Sequence, residues 1–179
     1  LSHSEIMKDV ARTSKTVQSR YGGMTKELIK GAIQAKKMGL SLEETADIAS
    51  KFLDIESSIS TEVEAQVLTG RTFNLDMARG LALQGKSAEA VAEAMKETGY
   101  TYDEFVKLGQ ENILAQQKIA EAAGLTTEQY LEAARIQKFN AVLGDGMVKD
   151  MKDLTGEQIA QLQNAGAIGK QEAENLTIQ

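Results

Sequence analysis

The chain has 179 residues, of which 42% are hydrophobic and only 4% are aromatic, and it contains no Trp, Pro or Cys. This length and hydrophobicity suit one folded domain and argue against general disorder. The absence of Cys excludes disulfides, thiolate metal sites and thiol nucleophiles, and the absence of Pro leaves Gly as the residue that breaks helices.

The net charge of −6 is unevenly distributed along the chain. Residues 1–37 contain eight basic and three acidic residues, whereas residues 38–179 contain twelve basic and 23 acidic residues. The main body is therefore acidic and should repel a phosphate backbone, so we do not expect nucleic acid as a partner. No apolar run approaches the roughly 20 residues needed to cross a bilayer, so we do not expect this segment to enter a membrane.

Residues 1–23 are predicted to form a basic leader, either helical or flexible. The chain begins with Leu rather than Met and shows no signal peptide, so we expect a piece of a longer protein. Ile6, Val10 and Val17 mark a thin apolar stripe, and a helix here would need a partner to be stable. The run Tyr21-Gly22-Gly23 is typical of a hinge at the end of such a helix.

Residues 24–143 are predicted to form a helical bundle, because apolar residues recur there at helical spacing. The helix after Ser41 is expected to be the longest, since a continuous apolar stripe runs along it. This stripe consists of Ile48, Phe52, Ile55, Ile59, Val63 and Val67. Its first half should be buried on two sides, whereas its second half is rich in Ser, Thr and Glu and should face water or a partner.

The remaining bundle helices are expected at residues 24–38, 74–84, 87–98, 101–122 and 127–142. In the fourth of these, Gly109 is a candidate kink, and Ile113 and Leu114 are candidate core residues. Residues 144–179 should form a loop followed by short helices. Since no window alternates as a β-strand does, the sequence predicts an all-α fold of about seven or eight helices, a compact bundle with a longer central helix.

A short motif recurs at the predicted helix junctions. It reads "GLSLEE" from Gly39, "GYTYDE" from Gly99 and "GLTTEQ" from Gly124, with weaker forms at residues 154–158 and 166–172. Gly can take the left-handed conformation that ends a helix, and Ser or Thr with Glu or Gln three residues later forms a capping box for the next. A ligand-binding loop would need converging polar groups, which the motif lacks. We therefore interpret it as a structural helix–turn–helix junction.

The sequence offers no arrangement suited to catalysis or metal binding. His3, the single histidine, has no second ligand nearby, so zinc sites and nucleophile–base pairs are not expected. Three carboxylate pairs are expected at helix starts or on polar faces, with none of them marked as buried. They are Glu43/Glu44, Glu62/Glu64 and Asp103/Glu104. We predict no catalytic, cofactor-binding or metal-binding residues, no cofactor and no enzymatic activity.

Two glycine-rich segments resemble ligand loops without matching them. "NAGAIGKQ" at residues 164–171 lacks the first Gly and the final Ser or Thr of a phosphate loop. "GDGMVKD" at residues 144–150 lacks the alternating ligands of a calcium loop. We expect no small-molecule ligand at either segment.

The segment from Met38 to about Gly124 resembles a block found in tail tape-measure proteins of tailed bacteriophages. The run "LDIESSISTEVEAQVLTGRTFNLDMARGLALQG" at residues 53–85 carries the likeness, and "EFVKLGQENILAQQKIAEAAGL" at residues 104–125 continues it. The resemblance covers about half of the chain and does not extend to residues 1–23 or 144–179. It implies a virion structural protein, made in the host cytoplasm, that lies in the tail tube and sets tail length. Its implied partners are tail-tube or tail-assembly proteins, or further copies of itself.

The repeated junctions favour a compact bundle, so the segment would be a globular helical region within a longer tape-measure protein. The competing hypothesis is a stand-alone adaptor that binds a protein partner through the Ile48–Val67 stripe or the basic leader. "GLSLEETADIA" also resembles the first half of a DNA-binding helix-turn-helix, but the following helix is acidic rather than basic. An enzyme of unfamiliar type would have to rely on carboxylates, Lys, Tyr and Ser alone.

Overall fold

The computed structural model describes residues 2–23, 25–148 and 150–178. Within these ranges the chain forms twelve α-helices and two 3₁₀ turns, and no β-strand. The helices α1 to α12, in chain order, are His3–Arg12, Lys15–Arg20, Thr25–Lys36, Leu42–Ser50, Ile55–Thr69, Asp76–Leu83, Ser87–Thr98, Tyr102–Glu111, Ile113–Ala122, Thr127–Leu143, Gly156–Asn164 and Lys170–Ile178. The 3₁₀ turns are Lys51–Leu53 and Met151–Asp153.

The all-α prediction is confirmed, whereas the predicted number of seven or eight helices is too low. The leader, predicted as either helical or flexible, forms two short helices, α1 and α2. Residues 1, 24, 149 and 179, which belong to the predicted leader, bundle and tail segments, lie outside the described residues.

The prediction of one long central helix after Ser41 is wrong. The chain instead forms α4 and α5, separated by the 3₁₀ turn Lys51–Leu53. Asp54 leaves the helical region with φ −82° and ψ 82°, and its carboxylate accepts a hydrogen bond from the Ser57 N–H at 3.3 Å. This N-cap starts α5 afresh, so the apolar stripe crosses a break. Within the described residues the longest helix is α10, with 17 residues.

The helix predicted over residues 101–122 is also broken, at Asn112 rather than at Gly109. Asn112 adopts an extended backbone conformation, and its side chain caps α9 by accepting from the Ala115 N–H at 3.1 Å. Gly109 remains helical and leaves space for the side chain of Gln116, which a Cβ at this position would strike. The Gln116 amide donates to the Phe105 carbonyl at 3.1 Å, so α8 and α9 fold against each other.

The predicted junction motif is confirmed as a set of capping boxes. Reciprocal side-chain and backbone bonds are present in four pairs: Ser41/Glu44, Thr101/Glu104, Thr126/Gln129 and Thr155/Gln158. At the first junction Gly39 has φ 72°, and the Leu40 N–H bonds back to the Ala35 carbonyl at 3.0 Å, which closes α3. In the weakest form of the motif, Glu172 instead pairs with Arg135 at 2.7 Å.

The buried apolar side chains form three clusters. The largest contains residues from each of the helices α4 through α10. Within it the rings of Phe105 and Tyr130 stack with centroids 4.2 Å apart. The second joins the leader to α3, α4 and α7, and the third joins the second half of α10 to α11 and α12. The candidate core residues Ile113 and Leu114 are exposed, because the break at Asn112 rotates them outward.

The leader is held against the bundle by polar contacts at helix N-termini. The Asp9 carboxylate accepts from the Leu42 N–H at 3.2 Å, at the first residue of α4. The Tyr21 hydroxyl accepts from the Ala88 N–H at 3.1 Å and donates to Glu89 at 2.9 Å. Lys86, the N-cap of α7, makes no side-chain cap, so Tyr21 supplies that bond from the leader. Burial raises the pKa of the Tyr21 hydroxyl, which therefore stays protonated and able to donate.

Two glycines with left-handed backbone conformations allow the cost of backbone strain in a Gly→Ala variant to be distinguished from the cost of a steric clash. Gly70 (φ 70°) has open space where a Cβ would lie, whereas at Gly124 (φ 75°) a Cβ would lie 2.9 Å from Ile48 Cγ2 and 3.2 Å from the Ile48 carbonyl oxygen. Gly70→Ala should lower the free energy of unfolding by about 1–2 kcal/mol, the cost of the left-handed conformation. Gly124→Ala should cost clearly more, as measured by urea unfolding with unchanged m-values. Equal costs for the two variants would contradict the close approach of Gly124 to α4.

Candidate functional site

Glu62 and Arg79 form a buried ion pair that connects α5 to α6. The two residues are 6% and 5% exposed. Arg79 Nη2 donates to Glu62 Oε2 and to Asp76 Oδ1, each at 2.8 Å, and Arg79 Nη1 donates to Ser58 Oγ at 3.0 Å. Glu62 Oε1 accepts from the Leu75 N–H at 2.7 Å. Both carboxylate oxygens of Glu62 are thus used, and the buried charges compensate each other.

The charges of this cluster are permanent at neutral pH and hold α5 against α6. Hydrogen bonding to Arg79 and the charge of Arg79 hold the pKa of the exposed Asp76 carboxyl below its usual range. Burial acts to lower the pKa of Arg79, but its bonds to Asp76 and Glu62 outweigh this and raise the pKa overall. Arg79 is therefore protonated and Asp76 ionised at neutral pH, which suits structural attraction rather than proton transfer.

The sequence marks none of the carboxylate pairs as buried, but the structure buries Glu62 of one pair. Its position on the Ser- and Thr-rich side of α5 suggested a solvated face, but α6 brings Arg79 over it. The available signal was Arg79 itself, which lies in the otherwise mostly apolar run "DMARGLAL" of α6. A charged residue in such a run is buried only when it is paired, so it predicts a partner without naming it.

The other sequence-predicted candidates are separate from this cluster. His3 is exposed at the start of α1. Glu43 and Glu44 lie in the first turn of α4, as expected, and Glu43 accepts from the Ser14 N–H of the leader at 3.1 Å. Glu104 pairs with Arg71 at 2.6 Å, and the guanidinium of Arg71 lies 3.6 Å from the centre of the Tyr100 ring. Each of these carboxylates thus has a local structural role.

Metal binding finds no support in the described ranges. No group of three or more His, Asp or Glu residues there is placed to hold a metal ion. The segment 164–171 contains the turn between α11 and α12, with Gly166 at φ 75°. The segment 144–150 includes Lys149, which lies outside the described residues, and Asn140 binds the backbone of Val148 beside it.

The second half of the predicted stripe lies on the protein surface. Ile55, Ile59, Val63 and Val67, here called the α5 stripe, are 40%, 43%, 51% and 77% exposed. Their four-residue spacing places them along one side of α5, while Ala65 of the same helix is fully buried. The expectation that this half of the stripe faces outward is confirmed. Exposed apolar residues aligned in this way are typical of protein-interaction surfaces.

The concave features of the surface are small or open. A cleft of about 280 Å³ beside the other side of α5 is lined by Ser57, Thr61 and Glu121, among others. A wider groove of about 630 Å³ lies between α11 and α12 and is lined by Ile159 and Ile178. Small-molecule sites are usually enclosed and combine apolar walls with converging polar groups. The α5 stripe is therefore the stronger candidate for a functional surface.

Within the described residues, no helix has the length and apolar character required to span a membrane. Comparisons with protein-family models, with curated proteins and with solved structures found no match to this chain.

The Glu62–Arg79 pair can be tested by a double-mutant cycle. Arg79→Met leaves the Glu62 charge buried without its partner and should lower the free energy of unfolding by about 3–5 kcal/mol. The cycle is completed by Glu62→Leu and by the double variant Glu62→Leu/Arg79→Met, which removes both charges. The double variant should recover part of that loss, as measured by urea unfolding, because the Leu75 N–H still lacks its acceptor.

Lys107 provides a matched control, because it pairs with Glu111 at 3.9 Å on an exposed face of α8. Lys107→Met should cost less than about 0.5 kcal/mol. If Arg79→Met costs no more than this control, the buried pair does not hold α5 to α6.

Proposed function

We propose that this chain is a helical segment of a bacteriophage tail tape-measure protein, a structural component that occupies the tail tube and sets tail length. The observation that carries the proposal is the likeness of residues 38–124 to a block of that family. Two features of the structure support it. All regular secondary structure in the described residues is helical, and several polar residues within the block bond to other parts of the fold.

The polar residues of the block illustrate this support. Asp54 caps α5, and Ser58, Glu62 and Arg79 join α5 to α6. Arg71 bridges to Glu104 and to the Gly99 carbonyl near the start of α8. A block whose polar residues make caps and ion pairs between helices suits a structural protein. On this proposal the chain acts by protein contacts, with tail-tube or assembly proteins or its own copies as partners, in the virion tail and without enzymatic activity.

A stand-alone adaptor is the second candidate, and the exposed α5 stripe favours it. Both candidates require a protein-binding surface, but they differ in the size of the native gene product. Mass spectrometry of purified particles and lysate separates them. A product several times heavier than 19.4 kDa in tail fractions supports the tape measure, and a product near 19.4 kDa supports the adaptor.

The tape-measure proposal predicts a change in tail length when residues 25–143 are deleted in frame from the parent gene. A helix rises about 1.5 Å per residue, so an extended segment of this size would shorten the tail by roughly 180 Å. A segment that remains folded spans about 40 Å across and would shorten it by no more than that. Electron microscopy of negatively stained particles measures either change.

The control is Arg79→Met in the parent gene, which alters the fold but not the number of residues. Tail length should then stay constant in the particles that assemble. Infective particles with unchanged tails after the deletion would contradict a ruler function.

A further inference from the structure

We propose that the α5 stripe binds a helix of a partner protein whose own apolar stripe is flanked by Lys and Arg. The inference rests on the proposed role in protein contacts and names the chemistry of the partner. It follows from three properties of α5: the shape of its exposed apolar surface, the way it is held in the bundle, and the charges around it.

The α5 stripe has the dimensions of a helix-binding surface. From Ile55 to Val67 it spans twelve residues, or about 18 Å of helix at 1.5 Å per residue. The side chains recur every four residues, and such i, i+4 rows form the ridges by which helices pack against each other. All four are aliphatic, and each is at least 40% exposed.

The packing of α5 turns this surface outward. One side of the helix packs on α9, where Ala65 is buried and Glu64 pairs with Lys118 at 2.9 Å. A second side is tied to α6 by the Glu62–Arg79 pair. These two attachments fix the rotation of α5 about its axis, so the stripe remains exposed instead of turning into the core.

The charges beside the stripe select a basic partner. Helix α5 contains no Lys or Arg and carries three glutamates, and Asp54 caps its start. The cations that pair with two of these glutamates are Arg79, which is buried, and Lys118, which lies towards α9. Glu56 is exposed and makes no ion pair with a basic residue among those that the structure describes, so it adds negative charge beside the stripe where a partner would approach.

This charge distribution argues against a second copy as the occupant. Two α5 helices packed against each other would place two helices that carry glutamates and no Lys or Arg side by side. Like charges across an interface cost free energy, whereas a partner with flanking Lys and Arg gains it. The occupant that these charges favour is therefore a basic amphipathic helix of another protein.

The test is a titration of the 179-residue chain against a fluorescein-labelled 18-residue model helix. The model helix has a leucine stripe flanked by lysines, and a second peptide carries glutamate in place of every lysine. Fluorescence anisotropy should show binding of the lysine peptide, weaker at higher salt, and at least tenfold weaker binding of the glutamate peptide.

Ile59→Asp separates apolar docking from general attraction between charges. It adds a negative charge, so attraction by charge alone would strengthen binding of the lysine peptide, whereas docking on the α5 stripe should weaken it at least tenfold. Glu56→Gln should weaken binding several-fold. Val142→Asp is the matched control, because Val142 is a similarly exposed aliphatic residue (41%) on α10, and its binding should equal that of the wild type.

Each contrary result would overturn the inference. Binding of Ile59→Asp at wild-type strength or tighter removes the apolar docking, and equal binding of both peptides removes the charge selection. Sedimentation of the wild type as a dimer that Ile59→Asp dissociates would make a second copy the occupant. Circular dichroism confirms that each variant is folded. Because the titration uses the chain alone, its failure would leave the tail-length result standing, and the reverse also holds.

Discussion

The termination and restart of helices is the constraint on which this structure depends. The chain has no proline, and its apolar residues recur at helical spacing through long stretches. Nothing in that periodicity prevents a rod. What folds the chain is a series of left-handed glycines, several of which are followed closely by a residue that caps the next helix, as at Gly39 and Ser41 or Gly124 and Thr126. Helices about ten residues long are marginal alone, so each must bury one face against another.

The helix ends at glycine residues could be predicted from the sequence, because the motif and its conformation are local. The breaks at Asp54 and Asn112 could not be predicted in the same way, because the apolar spacing continues through both. There the capping residue is a side chain within an apparently regular helix, and the bond is made only because the bundle supports the turn. Phe52, two residues before Asp54, illustrates this support, because its buried side chain anchors the 3₁₀ turn in the core.

The candidate site was likewise predictable from the sequence only in part. Exposure of the second half of the stripe followed from its polar neighbours in the sequence, and the structure confirms it. The Glu62–Arg79 pair did not follow, because the partners are 17 residues apart on different helices. Periodicity places Glu62 on a face of α5 but gives no information about which helix covers that face. Tertiary packing determines whether such a glutamate is solvated or buried.

A compact bundle and a ruler are compatible if the junctions are the points where the chain can extend. A left-handed glycine constrains only a few backbone angles, so straightening a junction costs mainly the apolar packing between the helices it separates. The clusters formed by the leader and by α11 and α12 are small, and local opening of small clusters requires less free energy than global unfolding. The cluster around Phe105 and Tyr130 is the largest and should open last.

The orientation of α5 determines that the α5 stripe lies on the protein surface. A helix with aliphatic residues along one side would ordinarily turn that side into the core, since burial of each such side chain is favourable. In α5 the buried direction is instead occupied by Ala65 and by the Glu62–Arg79 pair. Rotating the stripe inward would break that pair and leave Arg79 buried without the Glu62 carboxylate, a cost that opposes the gain from apolar burial. The buried charges therefore keep the aliphatic surface in solvent, where a partner can reach it.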